Sequence, residues 1–427
     1  MIASLPQAKE RVMTTTPDQH SPAELNPRAF AFVLVSAFLA VMGIGLVIPV
    51  IPFIVQRYLP GKDNAVALWV GVLLSTYAVC QFFASPVLGA LSDRVGRRPV
   101  LLLCLLGSAL GYVIFGIGGA LWVLMLGRII DGFTGGDIGT LFAYVGDITP
   151  PKERGRRFGI VGGVLGLGFI VGPSVGGLLS RISIATPCYV AAGVTLLNAL
   201  FGYFVLPESL RPENRKSTFT RGDLNPFTQL AAVFSVPSQR NLFLTSFFYF
   251  LPFAQLIGIG GVYQKDVLHF DAAHIGYVFL LIGIVDLVMQ GVVSGKLIPR
   301  IGERNMVLLG FCTVGVSYVA LALVPHYTTV IFFLSSIVCY AIGSGFYEPA
   351  MNALVSNSAG PESQGRIQGA NQAMQSISRI LGPLTASFLY GFGAGTPYVV
   401  STALTVVGIG LLLTLKTSSM SSRAAAA

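Results

Sequence analysis

The segment GALSDRVGRRPVLL, residues 89–102, places four charged side chains between two long apolar runs. Gly96 and Pro99 within it favour a tight turn followed by the start of a new helix. Under the positive-inside rule, its arginines hold such a turn on the cytoplasmic side of a membrane. The segment therefore predicts a short loop between two membrane-spanning helices.

The composition of the whole chain agrees with this interpretation. The 427 residues are 53% hydrophobic and only 11% charged, whereas a soluble domain carries about 25% charged residues. A spanning helix needs roughly 20 apolar residues, and a barrel strand alternates over only about 10. Twelve helix-length apolar stretches lie at about 29–57, 66–91, 99–119, 121–146, 158–181, 186–206, 240–264, 274–297, 305–324, 328–355, 366–390 and 396–416. We therefore predict an all-α membrane protein with twelve transmembrane helices.

The net charge of +9 is distributed asymmetrically. If the N-terminal tail is inside, 21 of the 27 Lys and Arg residues lie in cytoplasmic segments. Only Arg57, Lys62, Arg181 and Lys265 lie outside. The basic charge therefore reflects topology, with both termini cytoplasmic, and does not indicate binding to nucleic acid.

The residue types that bind metals, phosphates or disulfide partners show no useful spacing. The five cysteines form no CxxC pair, the four histidines have no metal-ligand spacing, and no GxxxxGK[ST] loop occurs. We expect no metal, no cofactor and no enzymatic activity.

The chain is internally duplicated. GALSDRVGRRPV at residue 89 matches GKLIPRIGERNM at residue 295, an offset of 206 residues, and GRRFG at 155 matches GRIQG at 365, an offset of 210. Repeats of six spans are typical of secondary transporters, whose site lies at the repeat interface. The predicted organisation is a tail (1–28), a six-helix bundle (29–206), a linker (207–239), a second and pseudo-symmetric six-helix bundle (240–416) and a tail (417–427).

The positive-inside rule accounts for the arginines in the loop between the second and third spans, but it does not account for the acid Asp93. Asp93 can meet a helix N-terminus, or it can pair with Arg97 or Arg98. Asp147, at the inner end of the fourth span, can join it. We interpret Asp93, Arg94, Arg97, Arg98 and Asp147 as a cytoplasmic gate, an ionic latch between the bundles.

Charges at membrane depth are costly and indicate function by default. The chain has six, at Arg128, Asp131, Asp137, Asp286, Glu348 and Arg379. We predict that Asp131, Asp286 and Glu348 carry protons and that Arg128 and Arg379 tune them, Arg379 by pairing with Glu348 or Asp286. A static Arg128–Asp131 pair is the alternative, since the two share a helix face. The neighbours of Asp137 stay open.

Polar and aromatic stripes mark candidate substrate contacts in three spans. A stripe of polar residues at helical spacing avoids lipid and faces protein or a water-filled cavity. Polar contacts between helices and ordinary bilayer-facing aromatics are the alternatives. The candidate substrate-binding residues are Tyr249, Phe253, Gln255, Tyr340, Asn352, Gln372 and Gln375.

Four motifs, in order, resemble the major facilitator superfamily and its bacterial tetracycline and multidrug proton antiporters. The loop at 89–102 is similar to the superfamily signature, and MGIGLVIPVIP (42–52) to the first-span motif. LGRIIDGFTGG (126–136) and GLGFIVGPSVGG (166–177) are similar to the fourth-span and fifth-span motifs. In the fifth, Gly168, Gly172, Pro173 and Gly176 are expected to pack helices closely, and the resemblance places this helix at the interface between the bundles.

The resemblance implies a proton-coupled antiporter that exports lipophilic compounds, cations among the candidates, by alternating access. Tetracycline exporters have acids at the positions of Ala40 and Gly111, so tetracycline itself is less favoured. A proton-coupled importer or facilitator of a small metabolite is the main alternative, and a membrane enzyme is a weaker one. We expect a monomer in the bacterial cytoplasmic membrane, with protons, substrate and lipid as its partners.

Overall fold

A computed structural model describes residues 27–150, 153–215, 224–227, 231, 237–358 and 364–415. Nearly all of the described chain is helical. The predicted tails lie almost entirely outside the described residues, as do residues 216–223, 228–230 and 232–236 of the predicted linker. The helices are α1 Pro27–Val47, α2 Ile51–Gln56, α3 Asp63–Val95, α4 Arg97–Ile117, α5 Leu121–Thr134, α6 Asp137–Ile148, α7 Arg154–Leu179, α8 Thr186–Val205, α9 Pro237–Leu268, α10 Ala272–Val288, α11 Gly295–Ile301, α12 Glu303–Leu323, α13 Val330–Asn357, α14 Gln364–Tyr390 and α15 Thr396–Thr414.

These helices correspond to the twelve predicted spans. Helices α1 and α2 join through the 3₁₀ turn Ile48–Val50 into the first span, and α10 and α11 join through the π-helix Met289–Ser294 into the eighth. Within the described residues, ten segments are long and apolar enough to cross a membrane. The fourth span, α5 and α6, is broken, and the eleventh, α14, carries the polar stripe. The prediction of twelve spans in two halves is confirmed.

The duplicated loop has the same backbone geometry in both halves. Gly96 lies between α3 and α4 with φ of 115°, and Gly302 lies between α11 and α12 with φ of 82°. Only glycine adopts such angles without strain. The repeated glycine is therefore required by the turn, and the turn sets the antiparallel direction of the helices that follow.

Corresponding helices pack alike in the two bundles. Helix α7 packs along α1, and its counterpart α14 packs along α9. Each also crosses to the other bundle, α7 to α10 and α14 to α3. These two crossings form the main interface between the bundles, as the resemblance implied for the fifth span.

Within the described residues, the hydrogen bonds that join the two bundles lie at one end of the molecule. We name the end that carries the Gly96 and Gly302 turns the basic face, and the other end the opposite face. The Ser75 hydroxyl donates to the Ile380 carbonyl at 2.7 Å, and the Ser174 hydroxyl donates to the Gly276 carbonyl at 3.3 Å. All four residues lie in the half of their span nearer the opposite face, so that face is closed.

A substitution at Gly276 tests this closure. A Cβ atom there would lie 2.6 Å from the Pro173 carbonyl oxygen, so Gly276→Val should force α7 and α10 apart. The probe is Ser387→Cys, in a background without native cysteines; Ser387 is buried at the other crossing between the bundles. Its labelling by an impermeant maleimide should rise about tenfold, which corresponds to a shift of about 1.4 kcal/mol in the balance between the closed and open conformations. Gly193→Val, where a Cβ meets nothing within 4 Å, is the control. Unchanged labelling would show that this contact does not hold the face closed.

Candidate functional site

A cavity of about 520 Å³ separates the bundles on the basic face. Its wall is formed by helices α3, α6 and α14, by the break between α5 and α6, and by Pro226. The described residues that line it are Ala78, Gln81, Phe82, Ser85, Pro86, Gly89, Gly135, Gly136, Ile138, Gly139, Thr140, Phe142, Pro226, Gln372, Ala373, Ser376 and Arg379. Its volume is within the range of small-molecule sites, and its position between the repeats is the one expected of a carrier.

The break in the fourth span belongs to the wall of this cavity. Helix α5 ends at Thr134, and α6 begins at Asp137 after Gly135 and Gly136. Asp137 itself turns away and lines a separate space of about 10 Å³ between apolar side chains and Ser36. The structure thus resolves the open question of its neighbours in this conformation: Asp137 lies inside the N-terminal bundle.

Arg128 and Asp131 form a buried ion pair in the N-terminal bundle. Their side chains are 4% and 3% exposed, and Arg128 Nη1 lies 3.4 Å from Asp131 Oδ2. The guanidinium also stacks over the Phe115 ring at 4.5 Å, while its Nε and Nη2 have no hydrogen-bond partner among the described residues. The pair is therefore incompletely satisfied, which distinguishes it from a fully hydrogen-bonded static bridge.

Packing explains the absence of an acid in the third span. A Cβ atom at Gly111 would lie 2.8 Å from both the Asp131 Cβ and the Gly127 carbonyl oxygen. Helices α4 and α5 approach too closely there for any side chain. At Gly111 the third span therefore has no room for an acidic side chain beside the backbone that carries Asp131.

Asp286 and Glu348 are joined through Gln290, a residue that was not predicted from the sequence. The Gln290 amide donates to Asp286 at 2.7 Å and to Glu348 at 3.4 Å, and the Ser344 hydroxyl donates to Asp286 at 2.9 Å. Gln290 lies in the π-helix, a distortion that is frequent at functional sites. Its spacing of four residues from Asp286 was the available signal.

Arg379 does not pair with either of these acids. It lines the cavity and is exposed to it, and no carboxylate of the described chain lies within ion-pair distance. The expected Glu348–Arg379 or Asp286–Arg379 pair is therefore absent from this conformation. The physical reason is that the acids hydrogen-bond within the C-terminal bundle, whereas Arg379 faces the space between bundles.

The candidate substrate residues occupy different environments. Gln372 lines the main cavity, and Asn352 is exposed and Gln375 half-buried outside that lining. Phe253 and Tyr340 line a small space of about 40 Å³ that also touches Phe169 of the other bundle. Direct contact of these five residues with substrate stays a prediction.

Two further candidates lie in the packed core of the C-terminal bundle. The Tyr249 ring stacks on Tyr347 with centroids 3.4 Å apart. Gln255 is 1% exposed; it donates to Thr385 and accepts from Ser401. In this conformation Gln255 joins three helices, so contact with a substrate would need another arrangement.

The fifth-span glycines allow α7 to lie against α1. A Cβ atom at Gly168 would lie 2.7 Å from the Phe38 carbonyl oxygen, and one at Gly172 would lie 2.7 Å from the Met42 carbonyl oxygen. A Cβ atom at Gly176 would collide with the Leu46 backbone. Pro173 of the same motif faces Gly276 of the other bundle, so the motif packs helices on two sides.

The predicted gate residues gather around Arg97. Its guanidinium donates to Asp93 at 2.5 Å, to Asp147 at 3.1 Å and to Ser92 at 2.6 Å. Glu208, which was not predicted from the sequence, accepts from the backbone N–H groups of Arg97 and Arg98 and so caps α4.

These gate contacts do not cross between the bundles. The Arg98 side chain donates to the Tyr203 carbonyl. The partners of Arg97 and Arg98 belong to the N-terminal bundle, apart from Glu208 at the start of the linker. In this conformation the cluster ties α3, α4 and α6 together. A latch between the bundles, with Arg94, stays a prediction for the opposite conformation.

We expect Arg97→Gln to destabilise the N-terminal bundle, because Asp93 and Asp147 lose their shared cation. Hydrogen bonds to charged groups contribute about 1.5–3 kcal/mol each, so the midpoint of thermal unfolding should fall by several degrees in the purified protein. The exposed Arg156→Gln is the control. Equal midpoints for the two variants would contradict a structural role for this cluster.

Comparison with known proteins identifies the family. The family model described as Major Facilitator Superfamily matches residues 33–383. The chain is 34% identical over 388 residues to the class C tetracycline resistance protein of Escherichia coli, covering 89% of this chain and 95% of that protein. It is 28% identical to multidrug resistance protein 2 of Bacillus subtilis, covering 91% and 95%.

A solved structure shares the fold of this chain. The human organic anion transporter MFSD10 is 23% identical and superposes with a TM-score of 0.68, covering 90% of this chain and 99% of that one. The family match covers the duplicated loops, the broken fourth span and the cavity between the bundles. The chain therefore belongs to the major facilitator superfamily, in the branch of the tetracycline and multidrug resistance proteins.

Proposed function

We propose that the protein is a proton-driven antiporter that exports lipophilic, drug-like compounds by alternating access. The observation that carries the proposal is the cavity between two bundles, open on the basic face and closed on the opposite face. Alternating access requires a binding cavity that opens to only one side of the membrane at a time. The names of the tetracycline and multidrug resistance relatives support export of drugs.

Proton coupling is supported by acids in both bundles. Asp131 lies in the N-terminal bundle, and Asp286 and Glu348 lie in the C-terminal one, all within spans. Carboxylates at membrane depth are typical of proton relays. A ligand, here the proton, shifts a two-state equilibrium by its difference in affinity for the two states.

Orientation and assembly complete the proposal. The distribution of Lys and Arg supports a cytoplasmic position for the basic face and both termini, so this conformation would accept substrate from inside a bacterial cell. One chain encloses the whole cavity, which supports a working monomer. The positions of Asp93, Arg94, Arg97, Arg98 and Asp147 on this face support a gate that forms when the cavity closes.

The direction of flux under a pH gradient tests the proposal. In everted membrane vesicles acidified inside, we expect the chain to accumulate tetracycline or ethidium, and we expect a protonophore to abolish the accumulation. Vesicles without the protein are the control. Accumulation that is indifferent to the protonophore would contradict proton coupling. Uptake in the reverse direction would favour the alternative, a proton-coupled importer.

A further inference from the structure

One cation dominates the cavity between the bundles. Among the described residues that line it, Arg379 is the only one that ionises, and it is exposed to the cavity. Its guanidinium has no ion pair and no hydrogen bond within the described chain. Arg128, by contrast, pairs with Asp131.

An unpaired arginine at membrane depth requires a physical reason. A charged side chain there costs about 2.5–3.5 kcal/mol or more unless it is hydrated or neutralised. The cavity supplies water in this conformation, and closing the cavity would remove it. A substrate that brings a negative charge would replace the lost hydration with a charge-assisted hydrogen bond.

The other polar groups of the cavity are mostly acceptors. The Gln81 amide already donates to Gly135 and Tyr77. The hydroxyls of Ser85 and Ser376 donate to carbonyls of their own helices. Among the described residues of the lining, Arg379 and Gln372 are therefore the side chains with free donors, and they lie seven residues apart on α14. A substrate that offers acceptors would be bound by this side of the cavity.

The remaining lining suits a flat apolar body. Phe82, Pro86, Ile138 and Phe142 come from α3 and α6, across the cavity from α14. Aromatic and apolar walls with a few polar groups are typical of sites for drug-sized ligands. The two sides of the cavity thus differ: apolar side chains of α3 and α6 face the cationic Arg379 and the neutral donor Gln372 on α14.

We propose that Arg379, assisted by Gln372, binds an anionic oxygen group, a carboxylate or an enolate, on a planar lipophilic substrate. The inference rests on the proposed function for its transport context, and it names the substrate class. It gives Arg379 a role in recognition in place of tuning a proton site. The cationic substrate considered from the sequence becomes a competing outcome.

Binding to purified protein tests the inference separately from transport. The probes are tetracycline, which carries an ionised enolate on a planar ring system, and ethidium, a planar cation without an acidic group. The variants are wild type, Arg379→Gln, Arg379→Lys and the exposed control Arg300→Gln. Kd values are measured by equilibrium dialysis at neutral pH.

We expect Arg379→Gln to weaken tetracycline binding about 10- to 100-fold, the loss of a hydrogen bond to a charged group, and to leave ethidium binding unchanged or tighter. Arg379→Lys should keep part of the affinity, and Arg300→Gln all of it. Equal losses for both probes, no loss for either, or a wild type that binds ethidium more tightly than tetracycline would each overturn the inference.

Transport of the same probes in the vesicles keeps the two proposals distinguishable. If Arg379→Gln loses tetracycline binding while the wild type moves neither probe under a pH gradient, the inference stands and the antiporter proposal fails. If the wild type exports ethidium under a gradient and Arg379→Gln binds tetracycline normally, the antiporter proposal stands and the inference fails.

Discussion

Glu348→Gln should lose export driven by a pH gradient, by more than about tenfold, because each 1.4 kcal/mol of lost bias between two states changes their ratio tenfold. Glutamine keeps the size of the side chain and its contact with Gln290 but has no proton to exchange. Asp286→Asn should behave alike, since the same amide joins both acids. The measurement is accumulation of substrate in everted vesicles with an imposed pH gradient.

A second assay separates coupling from substrate binding in these variants. Exchange of labelled for unlabelled substrate across proteoliposomes without a gradient needs no net proton movement. We expect both variants to retain it near the wild-type rate. Glu213→Gln, which changes an exposed acid outside the spans, is the matched control. Gradient-driven export at the wild-type rate in both variants would show that these acids do not carry the proton.

The largest loss of stability is expected for Asp131→Asn. It leaves the Arg128 guanidinium buried without a counter-ion, and breaking a buried pair in this way costs about 3–5 kcal/mol. Thermal unfolding of the purified protein measures the effect. As a contrast, Asp63→Asn removes only the more distant of two acids beside Lys265, at 3.9 Å, and Lys265 keeps its ion pair with Asp266. The Asp63 side chain is 62% exposed, so the change should cost no more than about 1 kcal/mol.

A double variant decides whether the Arg128–Asp131 pair has more than a structural role. Replacing both residues, as Arg128→Met with Asp131→Leu, removes the uncompensated charge and should recover most of the lost stability. Export should nevertheless stay lost, because Asp131, the only carboxylate of α5, is gone. A stable double variant with wild-type export would identify the pair as a static bridge.

The sequence was a good guide to features that depend on one residue or one stretch at a time. The lengths of the apolar stretches located the spans. The eleventh, α14, was among them, although its polar stripe keeps it out of the ten segments that are apolar enough to cross a membrane by composition alone. The duplicated loop predicted two like halves, and Gly96 and Gly302 have the same positive φ in the structure. Asp93, Arg97 and Asp147 were predicted to meet, and they do.

The sequence was a poor guide to pairing between distant helices. Arg379 was expected to meet Glu348 or Asp286, yet those acids share Gln290 and the arginine faces the cavity. Gln255 was assigned to the substrate, yet it hydrogen-bonds to Thr385 and Ser401. Each polar residue on a spanning helix avoids lipid. The pattern alone does not say whether such a residue contacts a neighbouring helix or the water of a cavity.

By itself, the sequence determined the number of spans, their duplication and the presence of charges at membrane depth, because partition between lipid and water depends on local composition. Only the tertiary structure decided which charges meet. The contact between Gln290 and Glu348 joins residues 58 positions apart, and that between Ser75 and Ile380 joins residues 305 apart. Such contacts follow from the angles at which helices cross, which are set by close packing across the whole bundle.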